Sequence, residues 1–277
     1  MYVSIDLGGT NTRVASSTDL NSLHKTVKFK TCSNLDDQIL KVSNAIKEVA
    51  EKRIDGICVG APGIVNTKKN KFEQIVNITY LSNLNVTELV TPELRDNNFI
   101  VVNDAALAGL GEAIHGAGKN FETVAYITIS TGVGGIRISN KKLDLTQRFS
   151  EPGHHIIDIG GVADTKVKLY GTLEAYISGE AFERNYGVPP TNCDDKSIWE
   201  DYGEKFSKGL VNICAFWAPE CVVVGGGISN KFELFADSVE NNFKAQDFFS
   251  MPVLKKAELG DNSGLYGGFA LIKQIIS

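Results

Sequence analysis

The stretch Ile5-Asp6-Leu7-Gly8-Gly9-Thr10-Asn11-Thr12 constrains the fold more than any other part of the chain. An apolar strand, Met1 to Leu7, runs straight into paired glycines flanked by an acid and a hydroxyl. Glycine lacks a Cβ and takes positive φ without steric penalty, so Gly8 and Gly9 suit a tight turn whose N–H groups close on an anion. Thr10 adds a hydroxyl donor. Asp6 repels a phosphate in direct contact, so a carboxylate here makes sense with a divalent cation between the two, and the combination points to a magnesium nucleotide. The glycines taken alone also suit a plain hairpin.

The pattern returns later. Val124 to Ile129 leads into Ser130-Thr131-Gly132-Val133-Gly134-Gly135, and aligning Asp6 with Ser130 also aligns Gly8 with Gly132, an offset of about 124 residues. Two related lobes are expected, each opening on a glycine hairpin. The chain has no Gly-Lys-Ser/Thr of a Walker loop and no Gly-x-Gly-x-x-Gly entering a helix, which argues against a P-loop NTPase and a Rossmann dehydrogenase. A third glycine run, Gly225-Gly226-Gly227, follows the buried strand Glu220 to Val224 and allows a flat ligand such as adenine to approach the backbone.

With 277 residues, 43% of them hydrophobic, the chain can bury one large core or two modest ones. Lys and Arg number 28 against 33 Asp and Glu, a net charge of −5, and no basic cluster is long enough for a nucleic-acid backbone. No apolar run reaches the length of a membrane span and Met1-Tyr2-Val3-Ser4 lacks a cationic leader, so a cytoplasmic protein without membrane or nucleic-acid partners is expected. Cys32, Cys58, Cys193, Cys214 and Cys221 are odd in number and widely spaced, as reduced core thiols are. The Asn-x-Thr sequons at Asn77 and Asn85 read as chance matches in that setting.

Taken in order, Thr12 to Ser16 and His24 to Lys30 read as antiparallel strands beside the first. A helix capped by Ser33 or Asn34 runs to about Lys52, with Ile39, Leu40, Ile46, Val49 and Ala50 at helical spacing. Ile57-Cys58-Val59 is a buried strand that exits into Gly60-Ala61-Pro62-Gly63, at the end of the sheet where ligands bind in open α/β folds. Lys68, Lys69 and Lys71 read as a solvated face. Phe99 to Val102 ends in Asn103-Asp104 and a small-residue helix from Ala105 to about His115. Asp104 is expected to cap that helix and stay ionised, able to accept a proton, with His115 complementing the dipole at the other end. After Glu151-Pro152-Gly153-His154-His155 a strand is expected at Ile156 to Ile159. Adjacent residues of an extended segment point to opposite sides, so His154 and His155 do not share one ligand. Helices follow at Leu173 to Arg184, with Glu174 in the first turn, at Ile198 to Ala218, from Asn230, and at Gly264 to Ile276, with a strand near Val253 to Leu254.

With these residues in hand the chain resembles the ROK family of repressors, open reading frames and sugar kinases, within the actin-like ATPase superfamily. The parts fall in family order over nearly the whole length: Asp6 to Thr10, Gly60 to Gly63, Asn103-Asp104, Thr131 to Gly135, Glu151 to His154, and Gly225 to Gly227. The resemblance implies a two-lobed α/β, ribonuclease H-like fold with a cleft between lobes. An N-terminal lobe, 1–115, would be joined by the C-terminal helix 264–277, with 116–263 forming a larger lobe. It implies ATP and Mg²⁺ as cofactors, Asp104 as general base toward a sugar hydroxyl, and Asn77, Asn103, Glu151, His154, Glu174 and Gly63 around the sugar. Asp6, Gly8, Gly9, Thr10, Thr131 and Gly132 would face the phosphates and the metal, Asp6 as its ligand, with Gly225, Gly226 and Gly227 near the adenosine. It further implies a homodimer.

One departure stands out. Many ROK kinases carry Cys-x-Cys-Gly-x-x-Gly-Cys-x-Glu, which with the histidine binds a structural zinc. Here the run is Thr165-Lys166-Val167-Lys168-Leu169-Tyr170-Gly171-Thr172-Leu173-Glu174, without the thiolates, and one histidine cannot make a closed tetrahedral site. No zinc is expected. The resemblance implies an ATP-dependent hexose kinase acting at C6, with glucose the first choice. The alternatives are a non-catalytic sugar sensor, a fructokinase or an N-acetylhexosamine kinase, and an ATPase without a sugar substrate. A repressor is disfavoured because the phosphate strand begins at Met1, leaving no room ahead of it for a DNA-binding domain.

Overall fold

A computed structural model describes residues 1–75, 77–144, 150–163, 169–247 and 251–277. The chain divides into two compact units. The first comprises Met1–His115, the described part of 142–149, and Asp261–Ser277; the second comprises Gly116–Lys141 and the described residues from Ser150 to Gly260.

The first unit is built on a five-stranded sheet. Strand β1 (Tyr2–Leu7) pairs antiparallel with β2 (Asn11–Ser17), which pairs antiparallel with β3 (Lys25–Lys30). Helix α1 (Leu35–Val49) follows, capped by Asn34, whose Oδ1 accepts the Asp37 N–H at 3.0 Å. Strand β4 (Gly56–Ala61) lies parallel to β1, a small hairpin of β5 (Ile64–Asn66) and β6 (Lys71–Gln74) comes next, and β7 (Phe99–Asn103) lies parallel to β4. The sheet order is therefore β3-β2-β1-β4-β7. Successive residues of a strand face opposite sides. Val3, Ile5, Ile57 and Val59 accordingly join one core with Val42 and Ile46 of α1, whereas Ser4 and Cys58 face Gly268 in the chain's final helix. Both faces of β4 are covered, which is why all six of its residues are buried.

Helix α2 (Asp104–Ile114) leaves β7 directly. Its N-cap is Asn103, not Asp104: Asn103 Oδ1 accepts the Ala106 N–H at 3.1 Å, and Asp104 is the first helical residue. At the other end His115 packs against Tyr266, the rings tilted by 39° with centroids 5.2 Å apart. Burial, with Lys273 acting in the same direction, pushes its pKa down, so a neutral ring rather than the expected cation closes the helix.

In the second unit β8 (Thr123–Ile129) pairs antiparallel with β9 (Val133–Ser139). Helices α3 (Leu173–Ile177), α4 (Gly179–Tyr186) and α5 (Lys196–Trp217) follow, then β10 (Cys221–Gly225), α6 (Phe232–Lys244) and β11 (Val253–Lys256). The sheet order is β11-β10-β8-β9, with β10 parallel to both β8 and β11. Each unit thus opens on an antiparallel hairpin with a parallel strand beside its first member. The first strands end at Leu7 and Ile129 and their partners begin at Asn11 and Val133, an offset of 122 rather than 124, so Gly8 stands at the place of Ser130. The last helix, α7 (Ser263–Ile276), belongs to the first unit and packs on α2, β1 and β4.

Two expected elements differ. The helix expected from Leu173 to Arg184 is broken at Ser178, whose Oγ caps α4 while the next N–H, of Gly179, donates to Ser130 O at 2.6 Å. Ile156 to Ile159 forms no strand. Ile156 makes an isolated bridge to Thr172, the tie is completed by Ile157 N–H to Gly171 O and Leu173 N–H to His155 O, and Ile159 is 97% exposed. All five cysteines are free thiols. No helix among the described residues is long and apolar enough to cross a membrane.

Candidate active site

The parallel ladder fixes the candidate site residues of the first unit. Asp6 pairs with Gly60, Gly60 with Val102, and Ala61 with Asn103, so β1, β4 and β7 end side by side. At roughly 4.8 Å per strand and 3.3 Å per residue, Asp6 and the start of α2, two residues past Val102, lie on one edge about 12 Å apart. Asn103 is used on both sides. Its Oδ1 caps α2, and its Nδ2 donates to Gly63 O at 3.1 Å, which fixes the Gly60 to Gly63 loop against the helix that carries Asp104. Asp104 Oδ1 accepts the Ala105 N–H at 2.8 Å at the N-terminal end of α2.

Around the first hairpin, Gly8 N–H bonds to Asn11 O at 3.0 Å, while Thr31 braces the turn from β3 through Gly8 O and Thr10 O. Neither Gly8 nor Gly9 takes the positive φ expected of it; what they provide is close approach. A Cβ on Gly8 would stand 2.7 Å from Asn11 O, and one on Gly9 would stand 2.9 Å from the Cβ of exposed Asn77. The N–H groups of Gly9 and Thr10 have no partner among the described residues, as an anion cradle requires.

Sequence reading missed Arg13. Its Nη1 lies 3.2 Å from Asp6 Oδ2 and its Nη2 lies 2.7 Å from Asp261 Oδ1, with Lys28 on the other Asp261 oxygen. Burial raises the Asp6 pKa, with Arg13 pulling against it. A desolvated carboxylate beside two open N–H groups fits a site for a magnesium nucleotide, whose cation would replace the lost hydration. The hairpin register was the missing signal, because it sets Asp6 directly opposite Arg13.

The second unit brings Thr131, Gly132, Glu151, His154 and Glu174 together. Glu174, at the first turn of α3, accepts the Val133 N–H on Oε2 at 2.6 Å, and a Cβ on Gly132 would meet that oxygen at 2.6 Å. Loss of hydration raises the Glu151 pKa, opposed by His154 and reinforced by Glu174, which places the three groups within electrostatic reach of one another. His155, lowered by burial, has its Nε2 buried without a partner and stays neutral.

Of the run at the family's zinc position, residues 165–168 lie outside the described residues. The part that is described is held by the backbone tie between 155–157 and 171–173 and by Thr172 Oγ1, which accepts the Ala175 N–H at 3.2 Å. Among the described residues no group of three or more His, Cys, Asp or Glu could hold a metal. The glycines after β10 serve different ends. Gly226 takes φ +79° and packs on Ile129 O, Gly225 packs on the Tyr126 hydroxyl, and Gly227 alone faces open space.

These features define a protein of the actin-like ATPase fold. A family model described as the ROK family matches residues 2–275, and the chain belongs to that family. It is similar to a glucokinase of Halalkalibacterium halodurans, 25% identical over 99% of this chain and 95% of that one, and to an N-acetyl-D-glucosamine kinase of Mannheimia succiniciproducens, 26% identical over 98% and 99%. Among solved structures it matches the ROK hexokinase from Thermus thermophilus with a TM-score of 0.83 at 24% identity, covering 100% of this chain and 99% of that one. It also matches a ROK family glucokinase from Streptomyces griseus in complex with glucose and AMPPNP, TM-score 0.81 at 22% identity over 99% of both chains.

Proposed function

We propose that the chain is an ATP-dependent hexose kinase that transfers the γ-phosphate to the C6 hydroxyl of a sugar, glucose first. The observation that carries this reading is Asp104: a carboxylate at the first position of α2, held by the Ala105 N–H beside the Asn103 cap, on the strand-end edge that also carries Asp6 and the open N–H groups of Gly9 and Thr10. Phosphoryl transfer needs little covalent help from the protein. It needs an acceptor that aims the attacking oxygen and takes its proton, and fixed groups that neutralise phosphate charge.

Asp104 supplies the first, accepting the C6 hydroxyl proton late along a loose transition state. Asp6 would hold Mg²⁺ on its carboxylate, and Gly8, Gly9, Thr10, Thr131 and Gly132 would line the phosphates. The bound cation supplies charge neutralisation on the transferring group. Gly227, with Gly225 and Gly226 behind it, would admit the adenosine. Glu151, His154, Glu174, Asn77 and Gly63 would pair with the remaining sugar hydroxyls. Asn103 holds Gly63 O and the Ala106 N–H with one donor and one lone pair, and its second N–H and second lone pair would pair with a sugar hydroxyl.

The glucokinase and N-acetyl-D-glucosamine kinase among the relatives support a hexose as substrate class. The test is a coupled ADP-release assay with Mg-ATP across glucose, mannose, fructose and N-acetylglucosamine. Sugar-dependent release with glucose leading supports the reading. Sugar binding without turnover would make the chain a sensor, and release that ignores sugar would make it an ATPase of another kind.

A further inference from the structure

The glycine loop after β8 has a shape set from within its own unit. Glu174 Oε2 accepts the Val133 N–H at 2.6 Å in a buried setting, with Glu174 itself only 8% exposed. The space a Cβ would take at Gly132 is filled by that carboxylate, so a glycine is needed there to make room for Glu174. On the far side of Val133, a Cβ at Gly153 would stand 2.2 Å from Val133 O, which closes the loop against the Glu151 to His154 segment. One residue before the glycine loop's Thr131, Ser130 O receives the Gly179 N–H at 2.6 Å from the start of α4. The loop is therefore held from α3 and α4, and the holder at Val133 is a charged acceptor, the stronger kind of hydrogen bond. Among the described residues Oε2 is the only Glu174 oxygen with a hydrogen bond. Glu151 lies within electrostatic reach of the same carboxylate.

We propose that Glu174 is a positioning residue that couples sugar to nucleotide: Oε2 holds the glycine loop through Val133 N–H while Oε1 accepts from a sugar hydroxyl. A sugar seated on Oε1 immobilises the carboxylate and with it the loop, so nucleotide finds the loop already shaped. A residue that only bound sugar would leave the loop's amide and the sugar-free nucleotide affinity alone. The coupling rests on the kinase reading; the tether to Val133 does not.

The experiment compares the parent with E174A and E174Q, after melting curves establish that each variant folds. It reads the exchange rate of the Val133 amide, AMPPNP affinity by calorimetry with and without glucose, and glucose KM. In E174A the Val133 amide should exchange faster and AMPPNP should bind about tenfold more weakly without sugar, the weight of one lost charge-assisted hydrogen bond. E174Q keeps a carbonyl acceptor for Val133, so AMPPNP affinity should return to within about threefold of the parent while glucose KM stays raised. Unchanged Val133 exchange and unchanged AMPPNP affinity in E174A would overturn the proposal. Loss of Val133 protection in a protein that phosphorylates no hexose would overturn the coupling and the kinase reading together while leaving the tether in place.

Discussion

Arg13→Met removes the one counter-charge among the described residues that touches Asp6. Two ion pairs are lost, and they are unequal. Asp261 is 62% exposed and keeps Lys28, so its pair with Arg13 contributes at most about 1 kcal/mol. Asp6 keeps 17% of its side-chain surface, and stranding a buried carboxylate costs about 3–5 kcal/mol when burial is complete, so about 2–3 kcal/mol is expected here. The melting temperature should fall by roughly 5–10 °C. The pH dependence carries the sign. Asp6 has its pKa raised in the folded chain, so the ionised form is the destabilised one and its penalty fades as pH falls through the folded value. Losing Arg13 raises that value further, and the gap between variant and parent should narrow as pH falls from neutral toward the ordinary carboxylate range. Adding Asp6→Asn removes the stranded charge and should recover most of the loss at neutral pH, a coupling read from a double-mutant cycle of denaturation curves. A variant as stable as the parent, or a double variant no better than Arg13→Met alone, would refute the account of this pair.

Lys141 donates to the carbonyls of Gly118, Lys119 and Phe121; Lys141→Met should cost about 2 kcal/mol in chemical denaturation, since the carbonyls lose a shared donor. Glu151 has a raised pKa and accepts from a sugar hydroxyl most strongly when ionised, so glucose KM should climb as pH falls, beginning above the ordinary carboxylate range, and a flat KM profile would remove Glu151 from the sugar site. Protein purified without added metal should hold no stoichiometric zinc by elemental analysis, and a zinc chelator should leave its melting temperature unchanged, because backbone bonds between 155–157 and 171–173 tie the segment.

The two glycine hairpins were legible because each follows a buried strand, and strand periodicity is local. The reasons for individual residues were not local. Why position 132 must be glycine is one example: Glu174, far along the chain, fills the space a side chain would take there. Asn103 and Asp104 are equally good caps by composition, and the bond from Asn103 to Gly63 O is the tertiary contact that accompanies the choice. The break at Ser178 is invisible to helical periodicity, because its cause is the Gly179 N–H reaching Ser130 O. Arg13 was legible in principle, since a hairpin turning at Gly8 and Gly9 sets it across from Asp6. Ile156 to Ile159 misled because an apolar run suggests a strand, whereas only one bridge residue pairs there.

Asp104→Asn tests the central claim most directly, because it keeps the side chain's shape and its oxygen toward the Ala105 N–H while removing the proton acceptor. With Mg-ATP and glucose, the parent should yield the 6-phosphate, and the variant should bind glucose with near-parental affinity while kcat falls on the order of a thousandfold. Near-parental kcat in Asp104→Asn, or a phosphate at another carbon of the sugar, would contradict the account.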